Sequence, residues 1–167
     1  MDSAAQNADR RPGAVGPIAV SRLFQGSAGI AEARDMARDF VESVRDAAGP
    51  PLTADAVGLV QLVVSELVTN ARKYAPGPCL LDLALRDGTV QVGVWDSSST
   101  LPSARERDPS RIGQHGLEVV KAVCRTLHAR REGTGKRITA YIPLSEDPAT
   151  PPTPPTPAET GRGLDKP

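Results

Sequence analysis

The sequence predicts an α+β fold, a two-layer sandwich in which helices cover one face of a mostly antiparallel sheet. Two long segments repeat apolar residues every three or four positions, which is typical of amphipathic helices. Two strand-like segments, CLLDLALR and TVQVGVWD, flank Asp87-Gly88, a dipeptide that favours a tight hairpin turn. A chain of 167 residues can form one domain with a hydrophobic core, and we expect that domain over residues 17–144.

The first half of this domain is predicted to be a strand followed by two helices. Residues 18–24 suit a short strand, and the first helix then ends near Gly49. Thr53 is a candidate N-cap for the second helix, which stops before Pro76. The apolar faces are Ile30, Ala33, Ala37, Phe40, Val41 and Val44 in the first helix, and Val57, Val60, Val63, Val64, Leu67, Val68 and Ala71 in the second.

The second half is predicted to be a hairpin, a long loop, a helix and a second hairpin. The hairpin turns at Asp87-Gly88, and the polar stretch from Ser97 to Gln114 has the length of a lid or binding loop. A short helix runs from Gly116 to about Leu127, and a turn at 133–135 leads into the closing strand KRITAYIPL.

The two ends of the chain are interpreted as disordered. Residues 1–16 have no apolar periodicity, and residues 145–167 contain a Pro-Thr repeat that can form neither a helix nor a central strand. The tail suits a solvated segment better than a polyproline ligand for a partner domain.

Composition argues against several classes of function. Lys and Arg number 20, and so do Asp and Glu, so no basic field favours nucleic acid or an anionic membrane. Aromatic residues make up 3% of the chain, too few for a base-stacking platform. No apolar stretch approaches the roughly 20 residues that span a bilayer, and we expect a cytoplasmic protein. Cys79 and Cys124 indicate neither a disulfide framework nor a zinc site.

Glu66 and Asn70 are the first candidates for chemistry. They are four residues apart on the second helix and therefore project from one stripe of it. Alone, such a pair is more often a solvated one. Their segment, VVSELVTNARKYA, resembles the N-box of the Bergerat ATP-binding fold shared by gyrase, heat-shock chaperones, histidine kinases and anti-sigma-factor kinases.

Three further segments carry the same resemblance, in the order found in that fold. They are VWD ending at Asp96, GQHGLEVV with Gly113, Gly116 and Leu117, and GKRITAYIP with Thr139. The resemblance implies a histidine-kinase-like ATPase domain that binds ATP and Mg²⁺. In that family the aspartate accepts a hydrogen bond from the adenine amino group, and Thr139 would support Asp96 and adenine, often through water.

The residue types suit the roles that the resemblance implies. The amide oxygen of Asn70 is a hard ligand for Mg²⁺ bound to phosphate oxygens. Glu66 could orient or deprotonate an attacking hydroxyl group, as a catalytic base does. Gly113, Gly116 and the start of the following helix would offer backbone N–H groups to phosphate.

Two features depart from the family pattern. The first glycine box, usually D-x-G-x-G, reads DSSST here, with Ser98 and Thr100 in place of both glycines. His115 stands where a basic residue is common and either touches phosphate or lies on the surface.

The lid arginines, Arg105, Arg107 and Arg111, either steady phosphate charge or belong to a solvated loop.

The resemblance is closest to the anti-sigma-factor serine/threonine kinases of bacterial partner switching. It implies an enzyme that phosphorylates an anti-sigma-factor antagonist, that binds a sigma factor in another state, and that can form a homodimer. The rival hypothesis is a module that binds nucleotide and sequesters a partner without turnover. Glu66 favours the enzyme, and the altered glycine box favours the module.

Overall fold

The computed structural model describes residues 18–25, 29–47, 52–75, 77–102 and 115–144. Within these ranges the chain forms five strands and three helices, which confirms the α+β class. In chain order they are β1 (Ala19–Phe24), α1 (Gly29–Asp46), α2 (Ala56–Tyr74), β2 (Cys79–Arg86), β3 (Thr89–Asp96), α3 (His115–Val123), β4 (Thr126–Glu132) and β5 (Gly135–Pro143).

The described strands form one antiparallel sheet in the order β1-β2-β3-β5-β4. Side chains alternate between its two faces, so even-numbered residues of β3 and β5 share one face and odd-numbered residues share the other. The even-numbered face joins both long helices in a single apolar core. The fully buried members from β3 and β5 are Val90, Val92, Ala140 and Ile142.

The core is mostly aliphatic, with Phe24 and Phe40 as its aromatic members. α1 and α2 bury the apolar stripes predicted for them, with Ala33, Val41, Val60, Val64 and Val68 at 0% exposure. Burying a valine side chain contributes about 1.5 to 3 kcal/mol, so the two stripes are the main force holding the helices on the sheet.

Two hairpin turns use residues with positive φ. Asp87 and Gly88 have φ of 50° and 70° between β2 and β3, which confirms the predicted hairpin. Gly133, with φ of 61°, begins the turn from β4 to β5. At both places a β-branched residue would be strained.

Two predicted boundaries are wrong. The N-cap of α2 is Asp55 and not Thr53, because the Thr53 amide donates to the carbonyl of Leu144, which ties this segment to the end of β5. The third helix ends at Val123, and Leu127 belongs to β4, where it pairs with Ala140. A helix continued to Leu127 would forfeit that strand pairing.

The opposite face of the sheet is polar. Arg137 donates two hydrogen bonds to the carboxylate of Glu132, at 2.9 and 3.0 Å, and a third to Asp82 on β2. The ring of His128 meets that of Tyr141 edge-on, which supports a structural role for this histidine. No helix in the described ranges is long and apolar enough to span a bilayer.

Candidate functional site

A stripe of polar side chains runs along α2 beside the sheet. Glu66 and Asn70 are half-buried on it, and Tyr74, one further turn along, continues the same row. Eight residues of helix extend about 12 Å, so the row connects two separate groups of residues. We call the group around Glu66, Asn70, His115 and Gly116 the phosphate end, and the group around Trp95, Asp96, Gly135 and Lys136 the base end.

At the phosphate end, α3 begins against the side chain of Glu66. A Cβ atom added to Gly116 would overlap the carboxylate oxygen Oε2 of Glu66, so only glycine allows this approach. Glu66 and Gly116 are far apart in the sequence, and the fold brings them together. Because the first N–H groups of a helix lack partners within it, the start of α3 suits an anion.

His115 and Leu117 occupy the first turn of α3. The side chain of His115 is exposed, with Nδ1 at 3.7 Å from a carboxylate oxygen of Glu118, and Leu117 packs against the core. Gly113, predicted to bind phosphate, lies outside the described residues, as do residues 103–114 of the predicted lid.

The oxygen donors of the phosphate end suit a divalent cation that also binds phosphate. Among the described residues, His, Cys, Asp and Glu form no cluster of three or more that could hold a metal by themselves. Asn70 and Glu66 supply an amide and a carboxylate oxygen on one helix face, and Mg²⁺ commonly uses one or two such ligands together with phosphates and water.

At the base end, Asp96 ends β3 and its side chain is almost completely buried, with 1% of the residue exposed. Its Oδ1 accepts a hydrogen bond from the backbone N–H of Ser98 at 2.9 Å, and Thr100 donates its N–H to the Ser98 hydroxyl at 3.3 Å. Ser98 and Thr100 do not have positive φ. The loop after β3 therefore turns by side-chain acceptors where the family uses glycines.

Lys136 lies beside Asp96 on the neighbouring strand, on the same face of the sheet. The two residues are register partners on β3 and β5, and the Lys136 Nζ atom lies 3.2 Å from Asp96 Oδ1. Both side chains are only 2% exposed. Sequence reasoning missed Lys136, although a lysine at an even position of a buried strand was a signal that it needed a partner.

Thr139 does not lie beside Asp96, contrary to the prediction. It pairs with Gly93 on β3 and with His128 on β4, and it is three residues from Lys136, so its side chain points to the other face of the sheet. The register thus gives Lys136 the place beside Asp96 that was predicted for Thr139.

Close packing holds the base end in position. A Cβ atom on Gly135 would overlap the backbone carbonyl oxygen of Asp96 and lie 2.7 Å from the Trp95 ring. The indole N–H of Trp95 donates to the carbonyl of Glu132 at 3.0 Å. Burial is the main cause that raises the pKa of the nearby Cys79 thiol, while Arg72 lowers it and Asp96 raises it, so this thiol stays neutral at pH 7.

The comparisons with known proteins bear on the same part of the chain. The family model described as the histidine kinase-like ATPase domain matches residues 27–142, which include both ends of the site. A search of curated proteins found no match.

Two solved structures are similar in shape. The histidine kinase domain of the Erythrobacter litoralis EL346 blue-light activated histidine kinase is 19% identical with a TM-score of 0.43, and the match covers 67% of this chain and 61% of that one. The catalytic domain of the histidine kinase ThkA, in a nucleotide-free form, is 18% identical with a TM-score of 0.44 and coverages of 75% and 96%.

Proposed function

Since the chain belongs to the histidine kinase-like ATPase domain family, we propose that it binds ATP together with Mg²⁺. The observation that carries the proposal is the meeting of Glu66 with Gly116 at the start of α3. This contact puts hard oxygen ligands next to the N–H groups of a helix N-terminus, which is the chemistry that a magnesium-bound triphosphate requires.

Each residue of the phosphate end has a separate role in this proposal. Asn70 ligates Mg²⁺, and the backbone of Gly113, Gly116 and Leu117 donates to phosphate oxygens. His115, exposed at the first position of α3, can add a donor when it turns away from Glu118. The carboxylate of Glu66 would repel a triphosphate that lacked a cation, so nucleotide binding should depend strongly on Mg²⁺.

We further propose that the protein is a serine/threonine kinase of the anti-sigma-factor type. When bound, ATP would supply the γ-phosphoryl group and leave as ADP. Glu66 accepts the proton of a serine or threonine hydroxyl on an antagonist protein and orients that hydroxyl for in-line attack. In its other state the protein binds a sigma factor in the cytoplasm.

A non-catalytic nucleotide-binding module is the second candidate. It is favoured by the base end, where Ser98 and Thr100 replace glycines and the buried Asp96 carboxylate is paired with Lys136. Such a module would sequester a partner protein in a nucleotide-dependent manner without turnover.

Phosphate transfer separates the two candidates. The protein is incubated with Mg²⁺, γ-labelled ATP and purified anti-sigma-factor antagonists encoded near its own gene. Label on a serine or threonine of one antagonist supports the kinase. Tight ATP binding with no label on any antagonist would support the module.

Two substitutions on α2 test the assigned roles. Asn70→Ala removes a metal ligand, so ATP should bind more weakly and depend less on Mg²⁺. Glu66→Gln keeps the shape of the side chain but loses the base, so ATP should still bind while phosphorylation falls by about 10² to 10⁴. Phosphorylation by Glu66→Gln at the wild-type rate would exclude Glu66 as the base.

A further inference from the structure

The carboxylate proposed to recognise adenine is not free to do so in this structure. Asp96 is 1% exposed, and its Oδ1 atom accepts a hydrogen bond from the Ser98 amide and lies 3.2 Å from the Lys136 ammonium nitrogen. Because the residue is almost completely buried, a ligand can reach this carboxylate only after a neighbouring group moves.

Lys136 is the partner that can move. The Ser98 contact belongs to the backbone turn that ends β3, whereas the Lys136 ammonium group is at the tip of a flexible side chain. Nζ lies between the carboxylate and the ring of Tyr74, whose centroid is 5.9 Å away. Tyr74 is 50% exposed at the end of α2, so the ring nearest to the ammonium group borders solvent.

The charge on Lys136 favours the resident lysine. Its ammonium group is paired with a buried carboxylate, where the attraction between opposite charges is strong, and the neutral amino group of adenine lacks that attraction. Adenine must therefore displace a stronger donor than itself, although the ammonium group recovers hydration when it leaves.

We infer that Lys136 competes with the adenine amino group for Asp96 and thereby sets the nucleotide affinity of the site. This inference rests on the proposed function, because it assumes that the base of ATP binds at Asp96. Lys136 is a specificity-determining residue in this scheme, and its competition weakens the binding of any nucleotide that presents an amino group to Asp96.

The test measures ATP affinity by calorimetry in the full chain with Mg²⁺. Lys136→Thr removes the competing charge and leaves a short hydroxyl group, so ATP should bind about tenfold to a hundredfold more tightly than to the wild type. The matched control is Arg137→Thr, a neighbouring cation on the opposite face of the sheet, which should change the affinity by less than about twofold.

A second ligand and a second variant sharpen the test. A triphosphate whose purine lacks the 6-amino group should bind to Lys136→Thr with the same affinity as to the wild type, since it offers Asp96 no donor at that position. Should Lys136→Thr fail to fold, Lys136→Gln retains a neutral donor for Asp96, and its ATP affinity should rise by a smaller factor. Thermal unfolding of each variant establishes that the binding measurements refer to folded protein.

The outcomes are distinct. If the wild type binds ATP and the folded Lys136 variant binds it equally or more weakly, the inference is wrong while the proposed function stands. An equal gain for both triphosphates would also overturn it, since the effect would not concern the amino group. If the wild type and the Lys136 variants all fail to bind ATP, the proposed function is wrong, and the inference with it.

Discussion

The base end and the phosphate end of the candidate site are built in different ways. At the base end, Asp96 and Lys136 are paired and almost completely buried, and the backbone of Gly135 is pressed against Trp95 and the Asp96 carbonyl. At the phosphate end, Glu66 and Asn70 are half-buried, His115 is exposed, and the closest approach is between Gly116 and a flexible carboxylate.

This difference predicts how each end of the site responds to a change of residue. Strand pairing fixes the base end, because Asp96 and Lys136 are register partners at one end of the neighbouring strands β3 and β5. The geometry of the phosphate end depends on where α3 starts. Rotation of the side chains can change that geometry without disturbing the sheet. We therefore expect substitutions at the base end to affect stability and substitutions at the phosphate end to affect activity.

The largest loss of stability should follow from Lys136→Met. Removing one partner of a buried ion pair leaves an uncompensated charge and costs about 3 to 5 kcal/mol. Urea unfolding of the variant measures this loss. The double variant Lys136→Met/Asp96→Leu should lose clearly less, and a loss as large in the double as in the single variant would show that the pair is not coupled.

A smaller loss is expected from Gly135→Ala. The added methyl group overlaps a backbone oxygen and the Trp95 ring, neither of which can move freely, and such overpacking costs about 1 to 3 kcal/mol. Trp95 is the single tryptophan of the chain, so its fluorescence reports both the unfolding transition and any displacement of the ring. Gly58→Ala is a suitable control, because nothing lies within 4 Å of the added methyl group.

Glu132 and Arg137 form a partly exposed ion pair on the other face of the sheet, which can be compared with the buried pair of Asp96 and Lys136. Its hydrogen bonds from Arg137 are the main cause that holds its pKa below the ordinary 4.5. A lowered pKa in the folded state stabilises the protein above pH 4.5, and this stabilisation is lost as the pH falls through the folded-state value. Glu132→Gln should cost about 1 kcal/mol or less at pH 7, since the pair is partly solvated.

The difference between wild type and Glu132→Gln should also shrink as the pH is lowered below 4.5. Thermal unfolding of both proteins from pH 7 to pH 3 measures this difference in stability. A difference that stayed constant over this range would show that the Glu132 charge contributes nothing.

The smallest effect on stability is expected at the phosphate end, from Gly116→Ala. The added methyl group meets only the tip of the Glu66 side chain, which can rotate away. The free energy of unfolding should therefore change by less than about 0.5 kcal/mol. Displacing Glu66 should nevertheless lower phosphoryl transfer by about tenfold to a hundredfold, since catalysis depends on position. A loss of stability comparable to that of Gly135→Ala would remove the distinction between the two ends.

Much of the fold could be predicted because the relevant signals are local. The apolar stripes of α1 and α2, the positive φ at Asp87-Gly88 and the order of the elements all follow from short stretches of sequence. The two wrong boundaries, at Thr53 and Leu127, are places where a tertiary hydrogen bond or a strand partner outweighs the local preference.

For the site, the sequence by itself determined that Glu66 and Asn70 share a helix face and that Asp96 ends a strand, since helix and strand periodicity place them. Only the tertiary structure decided what faces them. Gly116 reaches Glu66 because α3 packs on α2, and Lys136 rather than Thr139 lies beside Asp96 because of the register between β3 and β5. Side chains alternate along a strand, so residues three apart lie on opposite faces, and which of them meets a given partner depends on pairing between strands distant in sequence.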